Sequence, residues 1–219
     1  RHWQQSLRVV DLIERDGQGL NLTAEVRDGI LRHSKGKGPI LGADPATLPA
    51  TFEGQVVRLA DLIAYVSHDL DDALRGQVIR AVDVPSEVTA VLGATTSTRI
   101  AHMVMDVLEA TDLDRTPLVL MSEPTHAAVH RLRAFLYEHL YFDPKVHEPF
   151  VRAKAILGAL WEAYVGDTDH FFAHTWPDCP ESLRADPARA VCDFLASMTD
   201  RYALRLWEKM FVPRRWDLL

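Results

Sequence analysis

Within residues 52–74, FEGQVVRLADLIAYVSHDLDDAL, four side chains able to bind a cation or move a proton recur at helical spacing: Asp61, Tyr65, His68 and Asp72. Steps of four, three and four residues put them on one face at 3.6 residues per turn. Asp69 stands beside that line. Around it run Val56, Val57, Leu59, Ala60, Leu62, Ile63, Val66, Leu70 and Leu74, which cover most of the circumference. The stretch has no Pro, and its one interior Gly is Gly54. This pattern predicts a long helix buried on nearly all sides. An unpaired carboxylate in such a helix is costly, so Asp61 needs a partner. Two kinds fit: an Arg from a neighbouring helix, or a divalent metal ion, for which carboxylate oxygen is a suitable ligand. Tyr65 reads equally as a core aromatic with its hydroxyl tied. Asp69 and Asp72 read equally as helix-end carboxylates near Arg75 and Arg80.

A second set lies further along. Arg133, Tyr137 and Tyr141 fall at i, i+4 and i+8, again one helical face, with Arg131 close by. This is either a solvated basic edge or a pocket wall, with guanidinium on phosphate and rings against a sugar or base. His126, His130 and His139 read as surface residues. His170 and His174 have the i, i+4 spacing of a metal-binding pair, but outside a predicted helix. The adjacent His68 and Asp69 point about 100° apart on a helix and need not serve one ion. There is no Gly-rich phosphate loop, G-x-S-x-G, H-E-x-x-H or C-x-x-C.

The elements that must carry these residues read as helices. Residues 4–15 form an amphipathic helix closed by Gly17 and Gly19. Asn21 or Thr23 caps the next, over 24–33. Residues 34–50 hold three prolines and read as loop. Residues 78–91 are ambiguous, with Pro85-Ser86 starting a short helix that ends at Gly93. Helices follow over 95–110, from Ser122 to about 141, and over 146–165. Residues 166–186 are irregular, and 187–211 are helical with a kink. No period-2 strand pattern appears. The expected fold is all-α: one domain over 1–219 with roughly seven to nine helices.

Bulk properties narrow the function. A net charge of −7 argues against a surface that coats nucleic acid. Cys179 and Cys192 make no disulfide framework, so a reducing cytoplasm is the default expectation. No apolar run reaches the length of a membrane span, and the expectation is that there is no signal peptide. The chain opens on Arg1-His2-Trp3 in place of Met, and the expectation is that an N-terminal portion precedes it in the natural protein.

The stretches RHWQQSLRVVDLIERDGQGLNLTAEVRDGILRHS, VVRLADLIAYVSHDLDDAL, YFDPKV and VCDFLASMTDRYAL resemble the deoxyguanosine triphosphate triphosphohydrolase-like branch of the HD-domain phosphohydrolases. The resemblance implies an all-helical HD-domain-like core that hydrolyses deoxynucleoside triphosphates to a deoxynucleoside and tripolyphosphate. It implies a divalent cofactor (Mn, Mg or Fe) held by a first His, a His-Asp pair and a distant Asp. Asp61 resembles that distant Asp. Tyr65 and Asp69 resemble contacts on the sugar side of the nucleotide. His2, in HWQQS, resembles an active-site His near the phosphates. Arg133 resembles a phosphate-binding Arg, and Tyr141 an aromatic against the deoxyribose. The family's first His and its His-Asp pair have no counterpart in this chain; His68-Asp69 follows the distant Asp and is not that pair. One carboxylate alone does not hold a catalytic ion. The resemblance further implies a homo-oligomer. The alternative is a non-catalytic nucleotide-binding or assembly module that keeps the helical core.

Overall fold

In the computed structural model, residues 1–34 and 47–213 are described. The loop expected over 34–50 lies mostly outside them. Among the described residues all regular structure is helical, as expected. Nine helices have seven residues or more: α1 (His2–Arg8), α2 (Ala24–Arg32), α3 (Phe52–Arg75), α4 (Ser86–Leu92), α5 (Thr96–Ala110), α6 (Glu123–His139), α7 (Pro144–Gly166), α8 (Pro187–Ala196) and α9 (Asp200–Phe211). The chain divides into two compact units. One comprises Arg1–Glu14 with Gly19–Val146; the other comprises Arg15–Gln18 with His147–Leu219. The division falls in the first turn of α7, where helical periodicity continues and composition does not change.

Local chemistry explains most helix ends. The Thr23 hydroxyl accepts from the Val26 N–H and opens α2. Thr51 does the same for Gly54 at 3.1 Å and opens α3, and Thr199 opens α9. These are N-caps that satisfy otherwise orphaned donors. Thr199 also explains the kink expected in 187–211: α8 stops at Ala196 and a newly capped helix starts. Past α1 the chain winds through a π-turn, Val9–Ile13. It then reverses, with the Gly19 N–H on the Glu14 carbonyl at 2.8 Å. Gly19 has φ of 70°, and a Cβ there would lie 2.2 Å from the Asp11 carbonyl oxygen, so only glycine closes this turn.

The first unit packs around α3. Leu62, Val66 and Leu70 face Val88 and Leu92 of α4, Met103 of α5, and Val129, Leu132 and Leu136 of α6, all essentially inaccessible to water. Arg99 of α5 is buried with them, its guanidinium donating to the Ala94 carbonyl at 3.1 Å and to Thr96 at 3.1 Å. The expectation that α3 is enclosed on nearly all sides is corrected here. Val56 and Val57 are 51% and 52% exposed, and Ala60, Asp61, Ala64 and His68 are exposed too. Helices α2, α5 and α6 pack against one side of α3, and no described element covers the opposite strip. An apolar periodicity around the whole circumference reports what a helix can bury, not which neighbours are present.

Where α2 crosses α3, Gly29 faces Gly54. A Cβ on Gly54 would stand 3.3 Å from the Gly29 Cα and 2.6 Å from the Pro49 Cβ. Gly54 costs helix propensity, about 1 kcal/mol, and in return lets two backbones touch. Around the crossing, Gln55 donates to the Pro49 carbonyl at 3.2 Å and accepts from the Val119 N–H at 2.9 Å. Arg58 donates to the Arg32 carbonyl at 2.8 Å, at the C-terminal end of α2.

The junction of α5 and α6 is polar. Asp106 accepts from the Ser122 N–H at 2.8 Å, from the Ser122 hydroxyl, and from the Thr125 hydroxyl at 2.8 Å. Thr125 in turn lies 3.2 Å from His102 Nε2. Burial pushes the Asp106 carboxyl up, but these hydrogen bonds and His102 together outweigh it and hold the carboxyl below its ordinary value. A depressed carboxyl contributes stability that is present above its unfolded value and lost as pH falls through the folded one. The prediction is that Asp106→Asn costs about 1.5–3 kcal/mol at neutral pH, the loss of hydrogen bonds to a charged group. It should also flatten the acid side of the stability profile. Urea titrations at a series of pH values check this; an Asn variant with the parent's acid slope would remove Asp106 as its source.

The second unit is held by aromatics. Phe171, fully buried, meets Tyr164 at a ring-centroid distance of 4.9 Å, Phe194 at 5.3 Å and Trp176 at 6.3 Å. Leu160 and Val191 complete the cluster.

Candidate functional site

The residues singled out in the sequence converge partly. Tyr65 and Asp69 lie one turn apart on α3, and both are half-buried. Tyr141 follows the end of α6, and its hydroxyl donates to the Asp69 carboxylate. The Tyr65 and Tyr141 rings stack at 6.2 Å with planes 10° apart. Tyr137 meets Tyr141 edge-on at 5.1 Å, and the Arg133 guanidinium lies over the Tyr137 ring at 5.8 Å. The cationic group and its aromatic neighbour attract through the ring quadrupole. Arg133 is buried, 6% exposed. With His130, Tyr137 and Phe142 it lines a cavity of about 290 Å³. Thus one wall, from Tyr65 through Asp69, Tyr141 and Tyr137 to Arg133, joins side chains from two distant parts of the sequence.

The electrostatics keep the two phenols of this wall protonated. Burial, then donation to Asp69, pushes the Tyr141 phenol far above its ordinary value. Burial also raises Tyr65. Both therefore remain protonated at any physiological pH. Asp69 is paired with a tyrosine, not with the Arg75 or Arg80 that the sequence offered. Asp72 does pair with Arg75, at 3.5 Å.

Asp61 lies one turn before Tyr65 on the same face of α3. It is exposed, and no arginine pairs with it among the described residues, which leaves the Arg reading without a partner. Carboxylate oxygen suits a hard divalent ion. Yet among the described residues no three His, Cys, Asp or Glu side chains come together where they could hold a metal. The described part of the chain therefore does not fit a complete metal centre; it offers one exposed carboxylate on this face. His170 and His174 stand with ring centroids 4.5 Å apart in the second unit, without a third ligand.

His2 is the first residue of α1 and is exposed. Its ring meets Trp3 edge-on at 4.9 Å and His33 at 5.4 Å. His33 lines a largely apolar cavity of about 850 Å³, together with Ser6, Val10, Val26, Ile30 and Val57 among others. Val57 precedes Asp61 by one turn of α3. Sequence reasoning passed over His33. Its signal was slight: a lone His directly after α2, just before a Gly- and Pro-rich loop. A second groove of about 680 Å³ runs between α3 and α5, walled by Val56, Ile63, Val104 and Leu108.

Residues 119–209 match the phosphohydrolase-associated domain family. Over nearly its whole length the chain is also similar to proteins named deoxyguanosinetriphosphate triphosphohydrolase-like. It is 45% identical to one from Desulfatibacillum aliphaticivorans, covering 97% of this chain and 62% of that protein. It is 40% identical to one from Caldanaerobacter subterraneus, covering 99% and 59%, and 36% identical to one from Clostridium perfringens, covering 98% and 61%. The chain spans about three-fifths of the length of these relatives. The resemblance drawn from the sequence holds: nearly the whole chain is similar to proteins named deoxyguanosinetriphosphate triphosphohydrolase-like, and its second half matches a phosphohydrolase-associated domain. Among the described residues no helix is long and apolar enough to cross a membrane.

Proposed function

We propose that this chain forms the nucleotide-binding part of a metal-dependent phosphohydrolase that converts deoxynucleoside triphosphates, dGTP or a close analogue, to deoxynucleoside and tripolyphosphate. What supports the reading is the wall of Tyr65, Asp69, Tyr141 and Arg133, with Asp61 one turn before it on the same helix face. Asp61 would supply one carboxylate to a divalent ion (Mn, Mg or Fe), which needs more ligands than the described residues bring together. Such an ion supplies Lewis acidity at the phosphate when bound. Arg133 offsets polyphosphate charge that a chain of net charge −7 otherwise repels. Tyr65 and Tyr141 pack where a ribose 2′-hydroxyl would go. His2 donates a proton to the leaving oxygen. The enzyme works as a homo-oligomer in the cytoplasm.

The test is tripolyphosphate release from dGTP by the full-length protein with Mn²⁺, with GTP as the competitor. Tyr141→Phe keeps the ring but frees it from Asp69. It is expected to lower the dGTP over GTP preference by about tenfold, the worth of one hydrogen bond to a charged group. An unchanged preference would remove Tyr141 from the sugar site. The second reading, a nucleotide-binding module without catalysis, draws on the lack of a complete metal-ligand set among the described residues. It predicts dGTP binding by the full-length protein with no tripolyphosphate released.

A further inference from the structure

Two imidazoles far apart in sequence meet, His2 and His33, ring centroids 5.4 Å apart and planes inclined by 65°, and His33 lines the 850 Å³ cavity. Their environments differ. His33 is half-buried and held. Its Nδ1 lies 2.6 Å from the Ile30 carbonyl oxygen. A carbonyl only accepts, so Nδ1 carries the proton of this bond, which fixes the ring's orientation. The preceding carbonyl, of Arg32, accepts from Arg58 at 2.8 Å and ties this turn to α3. His2 is exposed at the first residue of a seven-residue helix. It has two braces, the edge of Trp3 and the ring of His33.

We infer that His33 is a positioning residue for His2. It holds the His2 imidazole in one orientation through the ring contact, and His33 itself lines the cavity together with Val57, one turn before Asp61 on α3. An exposed imidazole without such a brace samples several rotamers, and only part of the population then presents its proton to a leaving group. The inference rests on the reading of His2 as proton donor, but its geometry does not.

The test uses His33→Asn and His33→Gln in the full-length protein. Asn places an amide N–H near the position of Nδ1, keeping the bond to Ile30 while removing the ring. The Asn variant is expected to melt within roughly 2 °C of the parent, since its anchoring hydrogen bond survives. Its kcat for dGTP should fall about tenfold with KM changed less than about twofold, the mark of a lost orientation and not of lost binding. Gln, whose amide reaches the Nε2 position, should keep a larger share of kcat. In protein labelled with ¹³C-histidine, with His2 assigned through His2→Gln, the His2 ring signals should move toward free-imidazole positions in His33→Asn. Parent-like kcat in the Asn variant, or unmoved His2 signals, would overturn the inference. If the parent protein hydrolyses no nucleotide, the proton-donor reading of His2 falls, while the ring signals still decide whether His33 holds it.

Discussion

Full-length protein carrying Asp61→Asn is expected to lose dGTP hydrolysis by on the order of 1,000-fold, equivalent to about 4 kcal/mol of transition-state stabilisation. Asn keeps the size of the side chain and one oxygen but removes the charge that a divalent ion needs. Because Asp61 is exposed and forms no ion pair among the described residues, its loss should leave folding almost unchanged; surface substitutions usually stay within about 0.5 kcal/mol. The two effects are therefore separable. Tripolyphosphate release across a Mn²⁺ titration reads the first, and a urea titration reads the second. If turnover persists at the parent level, Asp61 does not ligate the catalytic ion. If stability drops by several kcal/mol instead, Asp61 belongs to a buried ion pair, the other partner that the sequence allowed. Retained dGTP binding with absent turnover in the variant would place the wall of Tyr65, Asp69 and Tyr141 in binding and Asp61 in chemistry.

The largest expected effect on folding is at Phe171. Its ring is wholly buried and touches Tyr164, Phe194 and Trp176. Phe171→Ala removes that packing and leaves a cavity, a loss of about 3–5 kcal/mol. Domains of this size have about 5–15 kcal/mol in total, so the second unit should lose much of its margin. Hydrogen exchange is the direct measurement. Amides in α8 and α9 should exchange faster by two to three orders of magnitude, about 1.4 kcal/mol per factor of ten. A cost below about 1 kcal/mol would mean that Trp176 and Phe194 close over the gap and that Phe171 is not the centre of this cluster.

Fold and site were legible to different degrees, for identifiable reasons. Helices announce themselves by local rules. Thr23 as a cap, Ser122-Glu123-Pro124 as a start and Gly93 as a stop, with φ of 95°, all sit where short-range chemistry puts them. Ser122 adds something the sequence did not show. Its hydroxyl does not cap α6 but bonds Asp106 of α5, a long-range choice that no local pattern encodes. Spacing put Tyr65 and Asp69 on one face. Resemblance put Asp69 and Tyr141 on the same nucleotide, but that Tyr141 bonds Asp69 across 72 residues was not readable, since periodicity says which face a residue is on but not what faces it. The same gap explains the exposed strip of α3 at Val56, Val57 and Asp61. His33 escaped because a single histidine after a helix carries no pattern; its meaning depends on His2 arriving from another helix.

The paired glycines at the crossing of α2 and α3 bear on how the chemistry could be tuned. His33 ends one of these helices and Asp61 rides on the other, so the distance between an imidazole and a carboxylate is set partly by the thickness of two bare backbones. Interaxial distances in helix pairs run about 8–10 Å, depending on the side chains at the contact. A methyl group at position 54, 2.6 Å from the Pro49 Cβ and 3.3 Å from the Gly29 Cα, would act as a wedge, tilting both groups apart without touching either. Selection on reactivity could thus act through residues that have no functional group at all.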